Sequence, residues 1–160
     1  MKKIATLLIA AVLCFGVAGC EKAEQKEEAK YIEGTYTAEI EDDYNNEGNI
    51  ASAKVVVDKD GKIESIYLDT TYKTKDGKET TKKALGNDYN MKTYNPSAAG
   101  EWFEQVEKLE KAIVENQGVD FIELKEDNTT DAVSGCTIKI NALVAAAEKA
   151  ISDARNPKAE

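Results

Sequence analysis

The heptapeptide DAVSGCT, residues 131–137, stands directly before a strong helix signal that starts at Ile138. Gly135 allows a turn with positive φ, and the hydroxyls of Ser134 and Thr137 can cap a helix or contact an anion. Because a helix N-terminus presents backbone N–H groups and the positive end of the helix dipole, the stretch predicts a phosphate site. A capped loop that leads into a helix, without any ligand, is the alternative interpretation.

The same heptapeptide resembles the flavinylation motif of the FMN-binding domain family, Asp-x-x-Ser/Thr-Gly-Ala-Thr. This family includes the flavin-carrying subunits of the Rnf complex and of the sodium-pumping NADH:quinone oxidoreductase, and lipoproteins of flavin-based extracellular electron transfer. The resemblance implies that Thr137 carries FMN through a phosphoester, which a flavin transferase forms with FAD as the donor. The chain departs from the pattern at Cys136, where the family has Ala, and at Lys139 and Ile140, where the family often has hydroxyl residues.

The other residues in and beside the motif have supporting roles in this interpretation. We expect Asp131 to order the loop through backbone N–H groups or to be recognised by the transferase. Ser134 and Gly135 complete the cofactor-binding loop. Lys139, expected in the first helical turn, either adds a cation beside the phosphate or faces solvent. Cys136 is either a redox partner of the flavin or a small apolar filler, and we favour the filler because Cys behaves as a small buried hydrophobe.

An amphipathic helix is predicted over residues 98–117, with Ser97 as its N-cap and Gly118 closing its C-terminal end. Its apolar residues recur at helical spacing and indicate a stripe that faces the core. The stripe consists of Trp102, Val106, Leu109 and Ile113.

Aromatic residues near this helix are candidates to contact a flavin ring, whose faces favour aromatic or aliphatic neighbours. They are Tyr89, Tyr94 and Trp102, and Met91 lies among them in the sequence. Core packing is the alternative interpretation for each of these side chains.

The remaining patterns predict an α+β fold, a small antiparallel sheet packed with helices, with the flavin loop at the N-terminus of the last helix. Asp60-Gly61 and Asp76-Gly77 predict turns between strands, and the acidic stretch 42–48 predicts a solvated loop. We expect strands at 34–40, 53–57, 63–68, 70–74 and 119–124, a last helix at about 139–153, an FMN-binding domain at 31–154 and a tail at 155–160.

The N-terminus has the pattern of a lipoprotein signal peptide over residues 1–19, with a basic start and an apolar run from Ile4 to Val17. The end of this run, Val17-Ala18-Gly19-Cys20, resembles the bacterial lipobox, which implies that Cys20 is diacylated and anchors the protein to the membrane. An ordinary leader cleaved near Ala18-Gly19 is the alternative. Residues 20–30 are charged and lack aromatic residues, so they predict a polar tether.

Composition excludes several functional classes. The net charge of −9 argues against nucleic acid, whose phosphates need compensation by Lys and Arg, and against broad contact with an anionic membrane surface. The chain has no His, which removes the usual general base and the commonest metal ligand.

The sequence therefore predicts a lipid-anchored flavoprotein on the extracytoplasmic face of the cell membrane. We expect it to shuttle electrons between a membrane electron donor and an extracellular electron acceptor, as a carrier without an enzymatic activity of its own. The alternative is a surface lipoprotein that binds a small ligand or a partner without redox chemistry. Non-covalent FMN binding with reductase activity is less favoured, because the chain has no Gly-x-Gly fingerprint for a nicotinamide cofactor.

Overall fold

The computed structural model describes residues 28–43 and 47–159 of the chain. The predicted signal peptide, Cys20 and most of the predicted tether lie outside these residues. Within them the fold is α+β, as the sequence predicts, and an antiparallel sheet in the order β1–β2–β3–β4 packs against helices. The strands are β1 (Gly34–Asp42), β2 (Asn49–Val57), β3 (Ile63–Lys73) and β4 (Glu79–Thr81). The helices are α1 (Lys82–Leu85), α2 (Met91–Tyr94), α3 (Trp102–Asn116) and α4 (Asn141–Asp153), with a 3₁₀ turn at Gly86–Tyr89.

The hairpin of β2 and β3 forms at the predicted Asp60-Gly61 turn. The carboxylate of Asp58 accepts the N–H groups of Asp60 and Lys62, each at 2.9 Å, and closes the turn. Gly61 has a φ of +71°, and a Cβ at this position would lie 2.3 Å from the Cβ of Ala29. Glycine is therefore required here both by the backbone conformation and by the close approach of another segment.

Helix α3 buries the predicted apolar stripe, but both of its ends differ from the prediction. The carboxylate of Glu104 accepts the N–H of Glu101 at 2.7 Å, so the helix begins after Glu101 and the predicted N-cap at Ser97 is wrong. At the other end Gln117, with a φ of +54°, takes the left-handed position that we expected for Gly118. The stripe of Trp102, Val106, Leu109 and Ile113 is buried as expected.

Three further predictions of secondary structure are wrong. Residues 119–124 form a turn, in which Ile122 N–H donates to the Val119 carbonyl at 2.9 Å, and they have no strand partner among the described residues. Residues 70–73 continue β3, in which 71–73 pair with β4, so they are not a separate strand. Asp42 is the last residue of β1 and is buried, so it does not belong to a solvated loop.

Helix α4 lies on β1 and β2, while α3 lies on β3. The face of α4 toward the sheet is rich in buried alanines, whose small side chains allow close approach of helix and strands. The loop that carries residues 131–137 precedes α4. Hydrogen bonds from Thr137 to Gln105 and from Lys108 to the Gly135 carbonyl place this loop next to α3.

The N-terminal segment of the described chain runs beside the residues that follow α4. Ile32 N–H donates to the Ala154 carbonyl at 2.8 Å, and Asn156 N–H donates to the Lys30 carbonyl at 3.0 Å. Tyr31 is buried, and its hydroxyl donates to the Gln117 carbonyl at 2.7 Å. No helix in the described ranges has the length and apolar character needed to cross a bilayer.

Candidate functional site

The motif loop is anchored to the core by alternate residues. Val133, Cys136, Ile138 and Ile140 are buried, whereas Ser134, Thr137 and Lys139 are exposed. A turn from Val133 to Cys136, closed by Cys136 N–H donating to the Val133 carbonyl at 3.1 Å, has Gly135 at a φ of +75°. Because the apolar side chains fix the loop from below, the side chain of Thr137 faces outward.

Thr137 is held by one buried side chain of α3. The Oε1 atom of Gln105 accepts the backbone N–H of Thr137 at 2.8 Å and the Thr137 hydroxyl at 3.0 Å. Gln105 is fully buried, and its Nε2 donates to the Gly100 carbonyl at 2.8 Å. A second contact of Nε2, at 3.4 Å, is to the Met91 sulfur. These contacts join the motif loop, α2 and the start of α3 around one amide group.

Thr137 lies at a cavity of about 190 Å³ between the motif loop, α3 and the segment from α1 to α2. Aromatic and apolar side chains form part of its wall, and two lysines and one carboxylate add charge. The lining residues are Asp42, Lys82, Tyr89, Met91, Asn95, Ala98, Trp102, Gln105, Thr137, Ile138 and Lys139.

Lys82 provides a buried cation in the wall of this cavity. Its Nζ lies 5.3 Å from the centroid of the Trp102 ring and 5.9 Å from that of Tyr89, within the range of cation–π contacts. Burial lowers the pKa of Lys82, and the negative charges of Asp42 and Glu47 oppose that shift. The cavity thus combines a positive charge with aromatic surface.

The family of the chain follows from a comparison with known protein families. The FMN-binding domain family matches residues 47–152, which include β2 to β4, α1 to α3, the motif loop and nearly all of α4. The chain belongs to the FMN-binding domain family. Its cofactor is therefore FMN, as the resemblance of the 131–137 motif implies. No curated protein and no solved structure matches the chain.

The cavity has the chemistry that an FMN-binding domain needs. A flavin ring has broad apolar faces, and Tyr89, Met91 and Trp102 provide aromatic and thioether contacts for them. A flavin phosphate is anionic, and Lys82 and Lys139 lie in the same wall to compensate its charge. The residues present therefore fit the cofactor.

Five of the predicted site residues come together at this cavity and four do not. Thr137, Lys139, Tyr89, Met91 and Trp102 line it. The predicted binding residues Asp131, Ser134, Gly135 and Cys136 belong to the same loop but do not line the cavity. Tyr94, the other aromatic candidate, is 73% exposed and also lies outside the cavity wall.

Several expected roles within the motif differ in the structure. Helix α4 begins at Asn141 and has Ile140 at its N-cap position without a side-chain cap, so neither Ser134 nor Thr137 caps it. Lys139 consequently lies in the loop and not in the first helical turn. The cavity is lined by residues of β1, α1, α2, α3 and the loop before α4, and no residue of α4 belongs to its wall.

The structure bears on the expectations for Asp131 and Cys136. Among the described residues the Asp131 carboxylate pairs with Lys125 at 2.5 Å and accepts no backbone N–H, so it does not order the loop in the expected way. Its recognition by the transferase stays a prediction. Cys136 is 1% exposed and packs in the core, as expected for a small apolar filler. Burial raises the pKa of its thiol to about 11.

Sequence reasoning missed Gln105, Lys82 and Asp42. Gln105 follows Trp102 by three residues, which places it on the buried face of α3, and a polar residue on that face was an available signal. Lys82 and Asp42 gave no such signal, since each lies within a polar stretch. Their burial results from the packing of β1 and α1 beside the cavity.

Proposed function

We propose that the protein carries FMN on Thr137 through a phosphoester and acts as a lipid-anchored electron carrier on the extracytoplasmic face of the membrane. The observation that carries this proposal is the position of Thr137. Its hydroxyl lies at the aromatic cavity on an exposed residue, where a transferase can reach it. When bound, FMN supplies the electron-transfer chemistry, and the protein supplies attachment, orientation and charge.

In this proposal the residues of the cavity contact different parts of the cofactor. Thr137 is the point of attachment, while Trp102, Tyr89 and Met91 offer surfaces for the ring. A phosphodiester keeps one negative charge, for which Lys82 is the buried counter-charge. Attachment through a covalent bond suits a carrier, because a carrier that faces the exterior of the cell would lose a weakly held cofactor by dilution.

Attachment is tested by the intact mass of the protein after co-expression with a flavin transferase. We expect a mass increase of one FMN residue in the unsubstituted chain and none in Thr137→Ala. Thr129→Ala is the matched control, because it removes a hydroxyl from the same loop outside the cavity. An unmodified native chain, or equal modification of Thr137→Ala, would contradict covalent attachment to Thr137. Yellow colour released on denaturation would then indicate non-covalent FMN.

The membrane anchor and the carrier role require separate experiments. Cys20→Ser should release the protein from the membrane fraction, and the native N-terminal peptide should carry two acyl chains by mass spectrometry. For electron transfer, we expect the bound FMN to be bleached by a chemical reductant and restored by a ferric chelate added afterwards. A reduced protein that does not reoxidise with such an acceptor would contradict the carrier role.

A further inference from the structure

Gln105 is placed to control the acceptor hydroxyl of Thr137. It projects from α3 into the core beside the motif loop, with no exposed surface. Both polar atoms of its amide are in use, with Oε1 accepting two bonds from Thr137 and Nε2 donating to Gly100 and Met91. Removing this side chain would leave the motif loop without its bond to α3 at the attachment residue.

Two hydrogen-bond partners fix the orientation of this amide, because one of them can only donate and the other can only accept. The backbone N–H of Thr137 can only donate, so the atom that faces it must be Oε1. The carbonyl of Gly100 can only accept, so the atom that faces it must be Nε2. It follows that the Thr137 hydroxyl, 3.0 Å from Oε1, donates its hydrogen to Gln105.

The hydrogen bond to Gln105 determines the direction in which the lone pairs of Thr137 Oγ point. With its hydrogen directed at Gln105, the hydroxyl of Thr137 has its two lone pairs directed away from α3. Thr137 is itself an exposed residue. A phosphorus atom that approaches from outside therefore meets a lone pair and not the O–H bond. Orienting the attacking oxygen is one way in which a positioned side chain accelerates phosphoryl transfer.

We propose that Gln105 is the positioning residue that orients the Thr137 hydroxyl for flavin transfer, an inference that rests on the proposed attachment of FMN to Thr137. In that step the Oγ of Thr137 forms a bond to the FMN phosphorus of FAD, the anhydride bond to the AMP phosphate breaks, and AMP leaves. No group is oxidised or reduced. The hydroxyl proton leaves to a base of the transferase or to water, because an amide oxygen is not basic enough to keep it.

The same geometry explains how the loop keeps its place after modification. An ester oxygen has no hydrogen, so Thr137 Oγ loses its bond to Oε1 once the bond to phosphorus has formed. The backbone N–H of Thr137 still donates to Gln105 at 2.8 Å and keeps the loop attached to α3. Gln105 thus holds Thr137 through the backbone N–H of Thr137 and orients the Thr137 hydroxyl before modification.

The test compares Gln105→Met with the native chain in flavin transfer by a transferase supplied with FAD. Met preserves the length of the side chain but cannot accept the two bonds from Thr137. We expect kcat for modification to fall roughly tenfold or more, with little change in the KM for the acceptor chain. The matched control is Gln117→Met, because Gln117 also makes several hydrogen bonds, to Ile63 and Val114, away from the cavity.

Thermal unfolding of each variant sets a common assay temperature below every midpoint, so that loss of folded protein does not enter the rates. Gln105→Glu is the second variant, since a carboxylate accepts both bonds but cannot donate to Gly100. We expect its kcat to lie between those of Gln105→Met and the native chain.

The outcomes separate this inference from the proposed function. A native kcat in Gln105→Met would overturn the inference, and so would an equal fall in Gln117→Met or a Gln105→Glu variant no faster than Gln105→Met. A native chain that takes no FMN on Thr137 would instead refute the attachment itself. Modification of Thr137 with a kcat that does not depend on residue 105 would leave the attachment standing and remove the role of Gln105.

Discussion

The thiol of Cys136 should be almost inert in the folded protein, although it is adjacent to the proposed attachment residue. Burial raises the pKa of this thiol from 9.0 to about 11. Since thiol reagents react with the thiolate, a shift of about two pKa units lowers the reactive fraction at pH 8 by roughly a hundredfold. Cys136 is also only 1% exposed, so a reagent can reach its sulfur only when the loop moves away from the core. We therefore expect alkylation to be more than a hundredfold slower than in the denatured chain.

The assay measures alkylation by iodoacetamide in a chain with Cys14→Ser and Cys20→Ser, so that Cys136 is the only thiol. Rates are compared at pH 8 between the native chain and the chain in denaturant. The native rate should continue to rise with pH from 8 to 10, because the thiolate fraction increases until the pH reaches the pKa. A native rate within about tenfold of the denatured rate would refute the role of Cys136 as a buried filler and would revive its role as a redox partner.

Three further predictions concern the charges and the turn around the site. Glu110→Gln should lower the free energy of unfolding by about 3 kcal/mol in urea titration at neutral pH, since it leaves the ammonium group of Lys83 (2.6 Å away) buried without its counter-charge. Burial raises the pKa of Glu110, so the folded state binds the carboxyl proton more tightly than the unfolded state does. The free energy of unfolding of the native chain should therefore fall as the pH rises from about 4.5 through the folded-state pKa, a slope that Glu110→Gln should remove. Lys82→Met should make the reduction potential of the FMN-loaded protein more negative in a dye-equilibrated titration, because the cation favours the anionic reduced flavin, and an unchanged potential would contradict its place beside the ring. Gly135→Ala should cost about 1 kcal/mol in urea titration because of its positive φ, and a neutral effect would show that the turn relaxes.

Local patterns in the sequence predicted the parts of the fold whose cause is local. The Asp60-Gly61 turn forms where expected because Asp58 closes it with bonds to residues two and four positions on. The apolar stripe of α3 is buried as expected because helical periodicity alone determines which face is apolar. Residues 119–124 show the limit of such reasoning. They are apolar enough for a strand, but a strand requires a neighbouring strand to pair with. Local sequence does not show whether such a partner lies beside the segment that follows α3.

The candidate site was predictable to the extent that its residues belong to the motif or are aromatic. Thr137 was identified through the resemblance of its motif to that of the family, and Trp102 and Tyr89 because aromatic rings suit the faces of a flavin. Lys82 has no such mark in the sequence, since most Lys residues are solvated, and the only signal for Gln105 is its place on the apolar face of α3. Their roles arise from tertiary packing, which buries an amide under the motif loop and an ammonium group behind two aromatic rings.

The alternation of buried and exposed residues in the motif loop also bears on the departure of the sequence from the family pattern. Under the proposed attachment a transferase would contact the exposed side chains of the loop, whereas Cys136 faces the core at 1% exposure. Replacing Ala by Cys at that position adds one sulfur atom to the packing beneath the loop and presents nothing new to an enzyme outside it. Lys139 is different, because it is exposed and lines the cavity with Thr137. If one of these two departures changes how FMN is attached, the geometry assigns that effect to Lys139. A comparison of Lys139→Ser with Cys136→Ala in the flavin-transfer assay would separate the effects of the two residues.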